Sequence, residues 1–346
     1  MKLGIVFGGV SYEHEISIVS AIAMKDVIHT QLVYIFLDQN RDFYLIPTDI
    51  IKSKLFSSGE YKKCEKLTLE KGAFFTQKAF LSKSKKIEAD LLLNMMHGGD
   101  GEDGVIASLL EFNNIKYIGP RKEACSVSFN KFLTKGYASS VNIKTIDYKY
   151  FTKNDEVKID NFPVIIKPVR LGSSIGVSIV KSEKELSYAL DVAFEFDDAI
   201  LVEPFISGIK EYNLAGCKID GDFEFSIIEE PQKADFLDFD KKYLDFARTS
   251  TALKADISDE LATKIKDSFK SIYNTLFDGA LIRCDFFVKD NEVYLNEINP
   301  VPGSMANYLF SDFDGVIKKL SNNLPNTRNI VINYEYVNKI QASKGK

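Results

Sequence analysis

The chain has only four cysteines, and no two of them are spaced for a shared metal or redox site. They are Cys64, Cys125, Cys217 and Cys284, without any CxxC pair. The pattern therefore predicts neither a zinc site nor a disulfide framework. Unpaired thiols are typical of a reducing compartment, so we expect a cytoplasmic protein.

Long apolar runs and an excess of basic residues are also missing. No stretch approaches the ~20 apolar residues of a membrane span, and the amino-terminal run ends at Gly8, too early for a signal peptide. Lysine and arginine number 44 against 49 aspartates and glutamates, a formal charge of -5. Because a nucleic-acid partner would call for a basic face, we expect neither a membrane nor a nucleic acid as partner.

The length and the patterning of the chain predict several domains. A chain of 346 residues exceeds what one hydrophobic core usually holds. In the first third, short apolar strands alternate with helical patterns, which predicts an open parallel sheet with helices on its faces. After Gly119 and Pro120 a single helical pattern covers 126–140, and strands, a loop and a final hairpin follow. The predicted domains are 1–119, 120–202 and 203–346.

The stretch FGGVSYEHEIS leaves an apolar strand at two glycines and enters a helix. A dinucleotide fingerprint, G-x-G-x-x-G, is absent here, which disfavours a nicotinamide oxidoreductase. Glu13, His14 and Glu15 crowd the loop instead, and they would repel a pyrophosphate but suit an ammonium group. The same acidic residues are also typical of a helix N-terminus, and the loop alone leaves both interpretations open.

A second strand ends in the glycine-rich stretch MMHGGDGEDGVIASLL. Four glycines within seven residues indicate tight turns and close approach of the backbone to a ligand. His97 stands at the end of the strand. It either faces a ligand or has a structural role, and the sequence alone allows both.

The stretch FPVIIKPVRLGSSIGVSIVK places two strands around a small-residue loop. Lys167 follows three apolar residues of the first strand, where an unpaired ammonium is costly, so we expect it to meet an anion. Gly172, Ser173 and Ser174 can offer N-H and hydroxyl donors to phosphate oxygens. The P-loop pattern is absent. The alternative is a mobile hairpin turn without a ligand.

The stretch LIRCDFFVKDNEVYLNEINPVPG reads as a β-hairpin that contains carboxylates in apolar strands. A plain two-residue turn would place Asp285 opposite Asn296. One extra loop or bulge residue places Asp285 opposite Glu297, with Asn299 on the same face, and we predict this register. Burying two carboxylates and an amide together costs free energy unless a cation binds among them. The alternative is that these residues are solvated strand ends.

Together these loops resemble a known family. The motifs FGGVSYEHEIS, HGGDGEDG, KPVRLGSSIGVS, EPFISGIKEYNLAG, RCDFF and LNEINPVPG occur in this order and closely resemble those of D-alanine-D-alanine ligases of the ATP-grasp superfamily. The resemblance extends from about residue 3 to 320. It implies an α/β protein of ATP-grasp architecture, with an N-terminal open parallel-sheet domain and two α+β domains that sandwich ATP.

The resemblance also implies how ATP and metal ions are bound. It implies ATP as a substrate and two Mg²⁺ ions, with Mn²⁺ as an alternative metal. Asp285, Glu297 and Asn299 match the metal site. The remaining matches are residues expected to contact the nucleotide: Lys131, Lys167, Gly172, Ser174, Glu203, Phe205, Ile206, Glu211 and Lys242.

The family reaction implies a second group of residues around the amino-acid substrates. The carboxylate of one D-alanine attacks the γ-phosphate, and the amine of a second D-alanine then displaces phosphate through a tetrahedral intermediate, for peptidoglycan precursor synthesis. Acyl phosphates hydrolyse in water, so a lid is expected, and DFLDFDKKYLD resembles it. The residues expected to act on the substrates are Glu13, His97, Ser173, Tyr243, Arg283 and the backbone N-H of Gly303.

Two departures and two alternatives remain. Pro204 stands where some relatives have a lysine near adenine, so nucleotide affinity is expected to be slightly weaker. Relatives commonly have a serine five residues after the glycine of the PG motif, where this chain has Tyr308, so Ser304 or Lys242 is expected to help bind the acceptor. The alternatives are an ATP-grasp ligase with another acid or acceptor, and a non-catalytic nucleotide-binding module. The resemblance further implies a homodimer.

Overall fold

The computed structural model describes residues 1–77, 83–231, 252–274, 276–326 and 330–344. Within these residues the chain forms three sheets, of seven, four and five strands. Among the same residues, no helix combines the length with the apolar composition that crossing a bilayer requires.

The first sheet carries the first two loops of the site. Its strands, β1 to β7, are Lys2–Gly8, Gln31–Leu37, Phe43–Ile46, Glu65–Glu70, Ala73–Thr76, Leu91–Asn94 and Tyr117–Ile118. The order is β5-β4-β3-β2-β1-β6-β7, and β2, β1, β6 and β7 run parallel as predicted.

The other three strands of this sheet are antiparallel, which the sequence prediction had missed. Only five residues join β2 to β3, and two join β4 to β5. Connections this short cannot cross over to a parallel position. Left-handed backbone at Arg41 (φ 60°) and Gly72 (φ 86°) makes both turns possible.

Six helices accompany the first sheet or follow it. They are α1 (His14–Val27), α2 (Ser53–Ser57), α3 (Gly99–Glu102), α4 (Val105–Phe112), α5 (Lys122–Phe129) and α6 (Lys131–Ser140), with a short 3₁₀ helix at Glu60–Lys63.

The helix predicted over 126–140 is two helices, and this part of the prediction was wrong. Asn130 adopts an extended conformation between α5 and α6, and its side-chain oxygen accepts hydrogen bonds from the N-H groups of Phe132 (3.0 Å) and Leu133 (3.1 Å). Asparagine is among the preferred N-capping residues. It therefore begins a new helix in the middle of a continuous helical pattern.

The second sheet lies in the middle of the chain. Its strands are β9 (Lys149–Thr152), β10 (Val164–Pro168), β11 (Ser178–Val180) and β12 (Ala199–Pro204), and α7 (Glu183–Phe196) packs on it. All its pairings are antiparallel, in the order β11-β10-β12-β9.

The third sheet contains the carboxylate hairpin. Its strands are β8 (Lys144–Thr145), β13 (Lys210–Ile219), β14 (Asp222–Glu229), β15 (Ile282–Lys289) and β16 (Glu292–Asn299), in the order β14-β13-β15-β16-β8. The run over 145–151 is divided between two sheets, since β8 pairs with β16 in this sheet and β9 belongs to the second sheet.

The C-terminal part adds helices, of which those at 259–273 and 313–321 pack on the third sheet and that at 335–344 is exposed. They are α8 (Asp259–Tyr273), α9 (Phe313–Ser321) and α10 (Glu335–Lys344), with a 3₁₀ segment at Gly303–Leu309. The largest hydrophobic core joins side chains of the first and third sheets, for example Leu3 and Met24 with Leu309 and Phe313. This shared core places the first two loops beside the hairpin.

Candidate active site

Glu13 lies where the three glycine-containing loops meet. Its side chain is 7% exposed, and Ser173 Oγ donates a hydrogen bond to Glu13 Oε1 at 2.5 Å. A Cβ atom at Gly172 would lie 2.8 Å from that oxygen, and one at Gly98 would lie 2.7 Å from Oε2. A side chain at either position would therefore displace the Glu13 carboxylate. The Glu13 carboxylate makes no capping hydrogen bond to α1, although helix capping was the alternative interpretation.

The surroundings of Glu13 favour a cation. Burial raises the pKa of Glu13, and the nearby Glu102 raises it further, while Ser173, His97 and Lys131 oppose the rise. A carboxylate held in this way gains most when a positive group binds beside it. The site is thus suited to a substrate ammonium group.

His97 and Glu102 form a second buried pair from the glycine-rich loop. His97 is 3% exposed, and its Nδ1 lies 3.7 Å from Glu102 Oε1. Burial lowers the pKa of His97, while Glu13 opposes the change. Burial also raises the pKa of Glu102 to about 8, with a contribution from Glu297 of the hairpin. Glu102 stood within a quoted motif but was not predicted as a site residue.

The loop between β10 and β11 holds Ser173 and Ser174 in left-handed backbone conformations, with φ angles of 54° and 58°. Such conformations are uncommon outside glycine and cluster at functional sites. The tight turn brings Ser173 to Glu13 while Gly172 allows the close approach. The loop is thus fixed against the first loop of the site, which does not support the interpretation as a mobile turn.

Lys167 meets an anion as predicted, and that anion is Glu203. Lys167 Nζ lies 2.8 Å from Glu203 Oε2, and Lys135 Nζ lies 2.9 Å from Glu203 Oε1. All three side chains are buried. Burial alone would raise the pKa of Glu203, but the two lysines lower it. The result is a buried cluster with one net positive charge.

Lys135 was missed by the sequence analysis. It lies one helical turn after Lys131 on α6, and its Nζ also donates to the carbonyl of Ile146 at 2.9 Å. The spacing of four residues was the available signal, because side chains at this spacing share a helix face. The break at Asn130 decides which face that is.

Lys131 points to the loop that contains Ser173. Its Nζ donates to the carbonyl of Leu171. Burial lowers the pKa of Lys131, while Glu297 opposes the change and Lys167 adds to it. Lys131 therefore lies between the hairpin and the buried lysine cluster.

The residues expected to contact adenine and ribose follow Glu203 along the chain. Phe205 and Ile206 come directly after β12 and are partly buried, and the Phe205 N-H donates to the carbonyl of Pro163 at 3.0 Å. Glu211 lies on β13 opposite Phe287. These residues lead from the second sheet into the third.

The predicted register of the hairpin is confirmed. Asp285 faces Glu297 because a β-bulge separates this pair from the plain two-residue turn. Arg283 donates to both oxygens of Asp285, at 2.6 and 2.8 Å, and Asn299 Nδ2 donates to Asp285 Oδ2 at 3.0 Å. Asp285 is 2% exposed, so these residues are not solvated strand ends.

The electrostatics of the hairpin follow from this burial. Burial raises the pKa of Asp285, and the charge of Arg283 opposes the rise. Burial alone would lower the pKa of Arg283, but Asp285 raises it well above its usual value. Among the described residues, no three histidine, cysteine or acidic side chains form a metal-binding group. The predicted set contains two carboxylates and one amide.

The segment after the hairpin begins at Gly303. Ser304, Met305 and Ala306 adopt left-handed conformations there. The Tyr308 side chain is 41% exposed; partial burial raises the pKa of its hydroxyl, and the charge of Arg283 opposes the rise. Lys242 and Tyr243, with the stretch DFLDFDKKYLD, lie outside the residues that the structure describes.

These features define the class of protein. The chain combines an α/β sheet with glycine-containing loops, an antiparallel sheet with buried lysines, and a mixed sheet with a carboxylate hairpin, and this is the architecture of an ATP-grasp enzyme. The family model for the D-ala D-ala ligase N-terminus matches residues 2–120, and that for the C-terminus matches residues 138–315. The chain belongs to the D-alanine-D-alanine ligase family.

Similar proteins support this assignment over the whole chain. A D-alanine-D-alanine ligase of Sulfurovum sp. is 60% identical, and one of Wolinella succinogenes is 57% identical, each with all of both chains covered. A crystal structure of the ligase of Helicobacter pylori is 50% identical with a TM-score of 0.85, and 95% of this chain and 100% of that chain are covered.

Proposed function

We propose that this enzyme joins two D-alanines into D-alanyl-D-alanine, converts ATP to ADP and phosphate, and supplies peptidoglycan precursor synthesis in the cytoplasm. The observation that carries the proposal is the meeting of Glu13, Gly172 and Ser173 beside His97 and Glu102. This group offers one carboxylate to an ammonium and lies close to donors for an anion.

The first D-alanine binds through its ammonium at Glu13. Its carboxylate then points away from Glu13, toward the positive residues between the loops and the hairpin. Lys131 and Arg283 are the cations that face this region, as their electrostatic influence on Glu13 and Glu102 indicates. The bound ammonium keeps Glu13 ionised in spite of its burial.

The nucleotide binds between the second and third sheets. Lys131, Lys135 and Lys167 supply positive charge for the phosphates, and Gly172 and Ser174 supply donors from the loop. When Lys167 turns to a phosphate, Lys135 still balances Glu203, whose other oxygen is then available to adenine. The segment that contains Phe205, Ile206 and Glu211 supplies the remaining contacts to the base and the ribose. Lys242 is proposed to complete this site.

Asp285, Glu297 and Asn299 are proposed to hold two Mg²⁺ ions, or Mn²⁺ in their place. Carboxylate and amide oxygens are the donors that these hard cations prefer, and the cost of burying Asp285 falls when a cation is near. When bound, the ions neutralise charge on the β- and γ-phosphates. Arg283 keeps Asp285 oriented through two hydrogen bonds.

The chemistry has two steps. The carboxylate of the first D-alanine attacks the γ-phosphate and gives an acyl phosphate and ADP. The amine of the second D-alanine attacks the acyl carbon, and phosphate leaves after a tetrahedral intermediate. Arg283 and the Gly303 N-H stabilise the oxyanion, because fixed donors act best where negative charge develops.

Tyr243 is proposed to close the site together with Ser173 and Glu13, since water must be excluded from the acyl phosphate. The test is Tyr243→Phe, with Tyr188→Phe on the exposed face of α7 as its control. We expect the first change to loosen acceptor choice toward hydroxy acids. An unchanged acceptor profile would contradict the assignment.

A homodimer is proposed, and the exposed face of α4 supports it. Val105, Leu109 and Phe112 are 49%, 37% and 89% exposed, and their spacing places them on one face of the helix. A second copy of the chain would cover this apolar stripe.

The function is tested by phosphate release with ATP and magnesium, with D-alanine, L-alanine or no amino acid, and by mass analysis of the product. Release that depends on D-alanine and yields the dipeptide is expected. Release without the dipeptide would show that phosphoryl transfer works and that Tyr308 has changed the acceptor. Absence of any release would contradict the proposal.

The metal assignment has its own test. Glu297→Ala should abolish magnesium-dependent turnover, because the second carboxylate of the hairpin is lost. Glu292→Ala is the matched control, since Glu292 lies on the same strand but pairs with Lys144 at the surface. Manganese binding followed by electron paramagnetic resonance gives a second readout. Retained manganese affinity in Glu297→Ala would contradict the assignment.

A further inference from the structure

Ser20 is a buried hydroxyl that connects two other parts of the site. It lies on α1 with no exposed surface. Ser304 donates its backbone N-H to Ser20 Oγ at 3.0 Å, and His97 Nε2 lies 3.0 Å from the same oxygen. Serine hydroxyls inside helices often bond a carbonyl of their own helix, whereas this one contacts the glycine-rich loop and the turn after the hairpin.

His97 contacts the same turn at its other end. Its ring forms a hydrogen bond with the backbone of Val301. Val301 and Ser304 flank the Pro302-Gly303 pair. The Ser20 and His97 side chains therefore hold the turn before and after Gly303, whose N-H is proposed to stabilise the oxyanion.

The protons can be assigned from these hydrogen bonds. Ser20 Oγ accepts the N-H of Ser304, so its own proton is available to His97 Nε2. The other ring nitrogen, Nδ1, then carries the ring proton, and Glu102 Oε1 lies 3.7 Å from it.

The turn needs such support because its backbone is strained. Ser304, Met305 and Ala306 have φ angles of 47°, 54° and 50°. Left-handed residues without a glycine persist only where their surroundings fix them. Ser304, the first of the three, is the residue that Ser20 holds.

We propose that Ser20 is a positioning residue for the ligation step, whose hydroxyl fixes the His97 ring and the Ser304 N-H and thereby aims the Gly303 N-H at the oxyanion. The proposal rests on the proposed function, since the oxyanion belongs to that reaction. Ser20 itself touches no substrate.

The test compares Ser20→Ala with Ser20→Thr and Ser17→Ala. Ser17 is the matched control because it is as buried as Ser20 on the same helix, but its hydroxyl bonds Gly8 and Met95 in the first sheet. We expect Ser20→Ala to lower kcat about tenfold or more and to leave the KM for ATP within about twofold, since a donor used in the transition state loses its aim. Ser20→Thr, which keeps the hydroxyl, should recover most of the loss.

A second readout uses nitrogen NMR of the histidine rings, which is feasible because the chain has only three histidines. We expect the wild-type His97 ring to carry its proton on Nδ1. In Ser20→Ala the ring should change tautomer or take up a second proton, which Glu13 favours and Arg283 opposes.

Unchanged His97 signals in Ser20→Ala, or a kcat no lower than that of Ser17→Ala, would overturn the proposal. If Ser20→Ala does not fold, two measurements still test the proposal. A wild-type His97 ring with its proton on Nε2 would contradict the assigned contacts. A Ser20→Thr enzyme of normal stability with a tenfold lower kcat would also contradict them. If the wild type makes no dipeptide, the proposed function fails, and the ring signals still test the Ser20 contact separately.

Discussion

Arg283 and Asp285 are alternate residues of β15 and therefore share one face of the sheet. Their two hydrogen bonds fix the guanidinium plane. A bidentate pair of this kind gives direction as well as charge. Asp285, which is proposed to hold metal, thus also orients Arg283, which is proposed to stabilise the oxyanion.

Arg283→Ala should lower kcat by about 10² or more, because a donor to the developing oxyanion is lost. Arg283→Lys keeps the charge but not the planar fork and should recover little of it. Steady-state ADP formation is the measurement. Lys289→Ala, an exposed residue on the same strand, is the control. Wild-type rates in Arg283→Lys would show that charge alone suffices.

Glu102 predicts an unusual dependence of stability on pH. Its pKa in the folded chain is raised to about 8 by burial, above the ordinary value. Stability from its protonated form is therefore present at low pH and is lost as the pH rises toward 8. Glu102→Gln should raise the free energy of unfolding by about 1 kcal/mol or more at pH 9 and change it little at pH 5.

Glu111 is the control for Glu102, because its pKa is shifted in the opposite direction. Lys122 pairs with Glu111 at 2.6 Å, and although burial opposes it, this pairing lowers the pKa of Glu111. The stability from Glu111 is present above the ordinary pKa of a glutamate and is lost as the pH falls. Glu111→Gln should thus destabilise at neutral pH. Denaturant titrations at several pH values check both variants, and parallel curves for the two would refute the argument.

At the scale of elements, the break between α5 and α6 decides where two lysines point. Asn130→Ala should lower the free energy of unfolding by about 1 kcal/mol, because two N-H groups at the start of α6 lose their acceptor. Asn130→Asp keeps the cap. Denaturant unfolding measures the stability, and the KM for ATP reports on Lys131 and Lys135. Equal stability of the alanine and aspartate variants would contradict a capping role.

The hairpin could be predicted from sequence, and the lysine pair could not. Asp285 and Glu297 stand out because a carboxylate in an apolar strand is costly, and the period of two restricts their pairing to few registers. Lys135 sits among ordinary helical residues. The direction of its side chain depends on where α6 begins, and the N-cap at Asn130 sets that position.

The antiparallel half of the first sheet was missed for a related reason. Its strands are short, and Arg41 turns the chain in a conformation that arginine rarely adopts. The parallel strands were predictable because short apolar runs alternate with helical patterns. The meeting of Glu13 with Ser173, which are 160 residues apart, needed the family resemblance or the structure itself.

At the scale of the whole molecule, the loop after β1 makes two contacts with the part of the chain around the second sheet. Ser173 bonds Glu13, and the rings of Tyr12 and Phe196 meet edge to face at 5.3 Å. One polar contact and one apolar contact therefore hold the loop after β1 against the region of the second sheet. Both come from residues next to the proposed ammonium site.

The proposed dimer gives a prediction at this scale. Phe112→Glu should dissociate it, since a charge would be buried in the apolar face of α4. Tyr188→Glu, on the exposed surface of α7, is the control. Sedimentation velocity measures the result. A Phe112→Glu protein that sediments like the wild-type dimer would exclude this face as the interface.

The strand β8 has a consequence for motion. The chain leaves the third sheet after β8, builds the second sheet, and returns to the third sheet at β13. These two attachment strands are three strand spacings apart, roughly 14 Å. Two connections permit rotation of the second sheet about the axis that passes through both of them, and they restrict rotation about other axes. The proposed nucleotide cleft between the second and third sheets is accordingly expected to open in one direction more easily than in others.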